Sequence, residues 1–314
     1  MPNNFGLGTR EMGKAGTFAA NAAARGGNLS YASAATLGER WLQFARWARA
    51  EQDIKWMEQV DRQAVEAYGR SLAERVEADT LSPAYAQNLV SAVNTVMDLA
   101  TRGQWESVSP TRTCGIPERS SVRDTAPTGY DRAEYGRALD ALRSSGLDRQ
   151  AAIAGLARDL GLRSKEACLL NARTALAEAT KTGHVTISDG TKGGRTREVP
   201  IATPGALEAL RTAAALQGAG KNLIPEQESW REWREGSLRD GREALKAHGI
   251  ARYHDLRAAY ACERYETITG HPAPVLGGVI TDRDKDREAR EQISAELGHG
   301  RIDVVAAYIG GRSC

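Results

Sequence analysis

Between residues 30 and 103 the apolar positions fall into three helical stripes. Leu37, Trp41, Phe44, Ala45 and Ala48 recur at three- and four-residue steps, the spacing that gathers side chains on one face of a helix over 36–51. A second helix is predicted from Asp61, a good N-cap, through Val65, Tyr68, Leu72 and Val76. The third opens at Ser82-Pro83, where proline suits a first turn, and runs through Tyr85, Leu89, Val93, Val96 and Leu99 to Arg102-Gly103. These stripes predict an all-helical unit over 30–103. Residues 1–29 are rich in Gly, Asn and Ala without a sustained period, and predict a flexible N-terminal arm.

At 104–129 the pattern dissolves into Ser, Pro, Arg, Thr and Gly, with Pro110, Pro117 and Pro127. That composition predicts a linker. Beyond it, over 130–314, helical periodicity returns at 132–144 and 148–160. His184–Ile187 and Arg195–Ile201 flank the turn-forming Ser188-Asp189-Gly190 and Gly193-Gly194, which predicts a β-hairpin. Further helices are expected at 204–217, 229–248, 253–269 and 288–297. The fold class is therefore mainly α with a small β-sheet, arranged as two domains, as 314 residues allow.

Composition narrows the picture. Hydrophobic residues at 41% and charged residues at 26% are ordinary for a globular protein. No apolar run approaches the roughly 20 residues of a membrane span, and the N-terminal sequence lacks the apolar stretch of a signal peptide. A cytoplasmic protein with no membrane partner is expected. The cysteines Cys114, Cys168, Cys262 and Cys314 form no ligand-like spacing, so neither a zinc site nor a disulfide framework is anticipated. A net charge of +2 neither demands nor excludes nucleic acid, because binding depends on local basic surface.

Several polar residues stand out against this background. In His254-Asp255-Leu256-Arg257 the imidazole and guanidinium are three apart, so both can address one anion from a helix face. They read equally as an ordinary solvated helix surface. In Gly161-Leu162-Arg163-Ser164, Gly161 can end one helix in a left-handed conformation and Ser164 can cap the next. Arg163 then sits at a helix junction, able to offer its donors to a phosphate. The run from Ile153 to Ala167 also looks like a helix-turn-helix DNA reader. Lys192 lies on the Gly-flanked hairpin turn, where a lysine is usually solvated but can swing to protonate a leaving oxygen. On one unbroken helix His299 and Tyr308 would be about 13 Å apart on opposite faces. Gly298, Gly300 and the capping residue Asp303 predict a break that folds His299 back beside Tyr308. The Trp230 and Trp233 pair is read as one buried helix face rather than as a base-stacking platform.

The ordered set Arg163, Lys192, His254, Arg257, His299 and Tyr308 resembles the tyrosine recombinases, the phage-integrase family. The likeness spans about residue 130 to the end, and the helical unit at 30–103 is similar to that family's core-binding domain. It implies a mixed α/β catalytic domain at 130–314 and a site-specific recombinase or integrase acting on double-stranded DNA as a homo-oligomer, a tetramer on its sites. Accessory DNA-bending proteins are partners it admits. By the same resemblance, Arg163 and Arg257 hold the scissile phosphate, and His254 and His299 assist binding and proton transfer. Lys192 protonates the leaving 5' oxygen and Tyr308 forms a 3'-phosphotyrosyl bond. Neither ATP nor a metal or other cofactor is expected, because the covalent link conserves the phosphoester energy. Type IB topoisomerases share this chemistry, and a non-catalytic helix-turn-helix regulator is the alternative from another class. Between Arg257 and His299 lie 41 residues, and the stretch 270–291 is read as a surface insertion. Six residues follow Tyr308, too few for a docking helix.

Overall fold

The computed structural model describes residues 3–312 and divides between Ser120 and Ser121 into two compact units. Among the described residues no helix is long and apolar enough to cross a membrane. The expected thiol Cys314 lies outside them, while Cys114, Cys168 and Cys262 are free and buried.

The first unit contains α1 (Met12–Arg25), α2 (Tyr31–Gln52), α3 (Arg62–Glu77) and α4 (Pro83–Ala100). Two of the predicted starts are marked by side-chain caps, Asp61 accepting from the Ala64 amide and Ser82 from Tyr85. Helix α2 begins earlier than the expected 36, where Ser30 accepts from the Ser33 amide. Trp41 and Phe44 of α2, Val65, Tyr68 and Leu72 of α3, and Leu89, Val93 and Val96 of α4 form one buried core.

The expected N-terminal arm is corrected over much of its length, because α1 is a helix packed on α2. Its inward face is Ala15, Gly16, Ala19, Ala20 and Ala23. These small residues let the backbones approach so closely that a Cβ on Gly16 would collide with the Trp41 indole. The indole Nε1 donates to the Met12 carbonyl at 2.9 Å. Alanine is the best helix former but supplies little hydrophobic contrast, which is why no amphipathic stripe announced the helix. Part of the linker also belongs to this core. Residues 104–129 carry no regular element, as their composition predicts, yet Val108, Cys114 and Ile116 are buried among the first unit's side chains.

The second unit contains α5 (Arg132–Ser144), α6 (Asp148–Leu160), α7 (Ser164–Leu169) and α8 (Ala172–Thr182), followed by β1 (His184–Ile187) and β2 (Arg197–Pro200). Then come α9 (Ala206–Gln217), α10 (Trp230–Glu235), α11 (Ser237–Ala247), α12 (Tyr253–Thr269), α13 (Arg283–Glu296) and α14 (Ala306–Ile309). The strands pair antiparallel, with Val185 opposite Val199 and Ile187 opposite Arg197. This makes the fold mainly α with one small sheet, as expected. Helices α6 and α12 are buried on nearly all sides and form the hub against which α5, α9 and α13 pack.

Three local expectations change. The helix expected over 229–248 breaks at Gly236, whose backbone (φ −102°, ψ −111°) is not helical. Helix α8 was not anticipated. The stretch 270–291 is not simply a surface insertion, because its charged second half forms the first turns of α13, with Asp286, Ala289 and Arg290 buried. A charge run at helical spacing presents one residue in every four to the interior.

One packing contact gives a stability test. A Cβ on Gly69, inside α3, would collide with the Cys114 side chain. Alanine raises helix propensity, so Gly69→Ala would stabilise the first unit if 108–116 were a loose linker. Because that segment is packed, the substitution is expected to lower stability by about 1–3 kcal/mol, measured by urea unfolding.

Candidate active site

The site begins where α6 ends. Gly161 takes the left-handed conformation (φ 61°), and a side chain there would also strike Tyr260 and Leu297. The chain turns through Leu162 and places Arg163 at the N-cap of α7, so Ser164 is the first helical residue rather than the cap. One turn on, Glu166 has no solvent exposure. Its carboxylate accepts from the Arg163 amide at 2.8 Å and from Arg163 Nη1 at 2.6 Å. Arg197 of β2 adds a bidentate contact at 3.0 and 2.6 Å, and Arg257 Nη1 of α12 lies 3.6 Å away. Burial alone would raise the Glu166 pKa, but the hydrogen bonds and charges of Arg197, Arg163 and Arg257 together hold it below the usual carboxylate value.

Two helix ends complete the cage. Arg257 donates to the carbonyls of Gly161, just past α6, and Leu297, just past α13. Arg197 Nε donates to Glu296 O at 2.7 Å. These carbonyls form the negative poles of their helices and suit cations. The cluster nevertheless sets three guanidinium groups against one carboxylate, leaving two positive charges in excess. Arg257 is wholly buried, and its Nε has no hydrogen-bond partner among the described residues. Its pKa is pulled down to about 10 by that burial, which still leaves it charged at neutral pH.

Beside the cluster lie the phenol and both imidazoles. Gly298 and Gly300 (both φ 67°) break the chain after α13, and a short 3-10 turn beginning at Asp303 leads into α14. Asp303 opens this turn while its carboxylate pairs with Arg301, so it is not a side-chain cap. The fold-back expected from the glycines is present. His299 Nε2 lies 3.0 Å from Tyr308 Oη. The His254 ring stacks on the Tyr308 ring at 5.2 Å between centroids, and the Arg257 guanidinium carbon sits 5.6 Å from that centroid. Burial, reinforced by Arg257, lowers the His299 and His254 pKa values to about 4. His254 keeps an exposed edge, which tempers its shift, but the direction keeps both rings neutral near pH 7.

Arg163, His254, Arg257, His299 and Tyr308 are thus gathered at one place. Lys192 is not: it sits exposed on the hairpin turn, in a 3-10 turn over Lys192–Gly194, and forms no hydrogen bond or ion pair among the described residues. Sequence reasoning missed Glu166 and Arg197. Arg197 did leave a signal, because it occupies an inward-facing strand position in register with the buried Ile187. The helix-turn-helix look of 151–167 has a different cause. Helix α6 is core, and α7 is six residues long with Glu166, Ala167 and Cys168 buried, so neither offers a reading face. The tryptophan pair is largely a packing element. Trp233 is buried against Cys168, while Trp230, partly exposed, lies under the Lys165 ammonium.

Residues 119–263 match the profile of the family described as Integrase. The match takes in the second unit as far as Glu263. The matched stretch contains Arg163, Lys192, His254 and Arg257, and stops before His299 and Tyr308. No curated protein matches the chain. Among solved structures, the fold is similar to a lambda integrase dimer bound to a COC' core site (16% identity, 94% of this chain and 75% of that one, TM-score 0.59). It is also similar to the Tn1549 transposon integrase in complex with transposon right end DNA (11%, 93% and 94%, 0.57). A third is the XerH site-specific recombinase bound to a palindromic difH substrate (15%, 94% and 79%, 0.57). At these identities the likeness is one of fold, and the integrase fold it supports is the tyrosine recombinase type anticipated from the sequence.

Two measurements probe the site. Glu166→Gln keeps the shape but removes the charge shared by the arginines, and should cost roughly 3–5 kcal/mol of stability, read by denaturant unfolding. For the histidines, a folded pKa depressed below the ordinary value near 6.5 means that the unfolded chain binds protons first. Their contribution to stability is therefore full above pH 6.5 and is lost as pH falls towards about 4. His299→Asn should flatten the stability profile in that window, and ring-proton NMR of the parent protein should show His299 still neutral at pH 5.5.

Proposed function

We propose that this protein is a site-specific DNA recombinase or integrase that cuts and rejoins DNA through a 3'-phosphotyrosyl intermediate. The observation that carries the reading is the 3.0 Å approach of His299 Nε2 to Tyr308 Oη beside a cluster with excess positive charge. A phenol attacks poorly while it keeps its proton. A neutral imidazole in hydrogen-bond reach can accept that proton, and the depressed pKa of His299 keeps it in the accepting form. Tyr308 Oη then forms a bond to phosphorus as the bond from phosphorus to the 5' oxygen breaks.

Charge grows on the non-bridging oxygens during this exchange. Arg163, whose side chain is a quarter exposed, and the unpartnered Nε of Arg257 supply donors for them. His254, stacked on the nucleophile's ring, holds the phenol and adds a ring N–H to the phosphate. Lys192 protonates the leaving 5' oxygen, which requires the glycine-flanked hairpin turn to move inward on DNA. Attack by a free 5' hydroxyl on the phosphotyrosine reverses the sequence and joins strands, so the bond energy is conserved without ATP. The substrate is duplex DNA and the working form an oligomer on DNA, a tetramer with room for accessory bending proteins; the DNA-bound dimer and tetramer of lambda integrase support the DNA substrate and the oligomer.

The test uses the full chain with nicked and supercoiled DNA from its own genomic neighbourhood, followed by SDS denaturation. The expected result is a protein–DNA adduct that vanishes in Tyr308→Phe while DNA binding stays within about twofold. An adduct that persists in Tyr308→Phe would sink the nucleophile assignment. Rapid relaxation of any supercoiled plasmid, without site preference, would move the reading to a topoisomerase.

A further inference from the structure

Helix α14 carries Tyr308 and is four residues long. A helix of that length has no stability of its own, since a single turn fixes more dihedral angles than its hydrogen bonds can offset. The position of the phenol must therefore be imposed from outside. At the front of α14, the Arg123 amide donates to Ala306 O at 2.9 Å, and its guanidinium is held by Asp255 at 3.0 Å, next to His254. At the back, the chain reverses at Gly310 (φ 90°), where a Cβ would press on the backbone of Val275 at 2.8 Å. Arg290 of α13 spans this turn, with Nη1 donating to Gly310 O at 3.1 Å and Nη2 to Gly311 O at 3.3 Å.

Arg290 is itself fixed. Its Nε donates to Asp286 at 2.8 Å, and the same carboxylate accepts from Tyr265 of α12 at 3.0 Å and from Arg312 at 2.9 Å. Asp286 and Arg290 are each 2% exposed. A buried ion pair has to be matched by directional hydrogen bonds to be tolerated, and here those bonds end on the two carbonyls that follow Tyr308 by two and three residues. The Arg287–Asp284 pair on the same helix, by contrast, is exposed and holds nothing but itself.

We infer that Arg290, braced by Asp286, is a positioning residue that sets the register of α14 and so aims Tyr308 at His299. The charged stretch 282–290 is then part of the chemistry's scaffold rather than an appendage. The inference rests on the proposed role of Tyr308 as nucleophile, and it adds that aim is set within one chain by α13.

The test replaces the nine tyrosines with 3-fluorotyrosine in the full chain and assigns the Tyr308 fluorine resonance by Tyr308→Phe. In Arg290→Ala that resonance is expected to move towards the shift of exposed fluorotyrosine, with Tyr68, Tyr135 and Tyr260 unmoved. Arg290→Lys, which keeps the charge beside Asp286 but cannot reach both carbonyls, should move it in the same direction by less. On DNA, adduct formation by Arg290→Ala should fall at least tenfold with binding within twofold. Should Arg290→Ala unfold, as collapse of all nine signals would reveal, Gly310→Ala disturbs the same turn from its other side and decides the matter. An unmoved Tyr308 resonance in whichever variant folds overturns the positioning role. A wild type that forms no adduct while its Tyr308 signal responds to Arg290→Ala would instead remove the nucleophile reading and leave the clamp.

Discussion

The buried carboxylate of Glu166 is the interaction on which the site depends. Arg163, Arg197 and Arg257 arrive from a helix junction, a strand and the central helix, and all lie within 3.6 Å of that one group. Cations this close repel one another by several kcal/mol even at an effective dielectric near 20. A single anion in their midst makes the cluster tolerable and fixes its geometry. It does not neutralise it. The excess positive charge stands beside a phenol paired with an imidazole whose pKa is depressed.

The same arrangement explains why the two histidines are weaker bases than a free imidazole. Desolvation and the neighbouring guanidinium groups strip them of their protons, so each presents a lone pair at neutral pH. The cost is carried by structure: two glycines in the left-handed conformation permit the fold-back of His299, and a short helix braced at both ends holds the phenol opposite.

The fold was legible wherever amphipathic periodicity coincided with capping chemistry, as at Asp61 and Ser82. It was not legible in α1, whose alanine face packs by small size rather than by hydrophobic contrast. The fold-back of His299 onto Tyr308 could be deduced from Gly298 and Gly300, because backbone conformation there is nearly dictated by residue type. Lys192 shows the opposite case. Its glycine-flanked turn draws attention to it, but that same turn leaves it exposed, with no hydrogen bond or ion pair among the described residues to fix it. Glu166 and Arg197 were overlooked because a charged residue in a sequence is read as surface by default. Only the strand register, which turns Arg197 inward beside Val199, exposes the exception. Asp286 and Arg290 were hidden by the same default inside a longer run of charge.

Arg257 spends its terminal nitrogens on the carbonyls beyond α6 and α13. Those oxygens stand where an anion's oxygens would want to be. Any anion reaching those nitrogens has to compete with these incumbents, so the strength of its hold is the difference between two sets of acceptors. The far end of α13 is one of the incumbents, and His299 follows it by two residues. The carbonyl that Arg257 grips and the imidazole of His299 therefore share one short stretch of chain, so the hold of the guanidinium also fixes where that imidazole starts from.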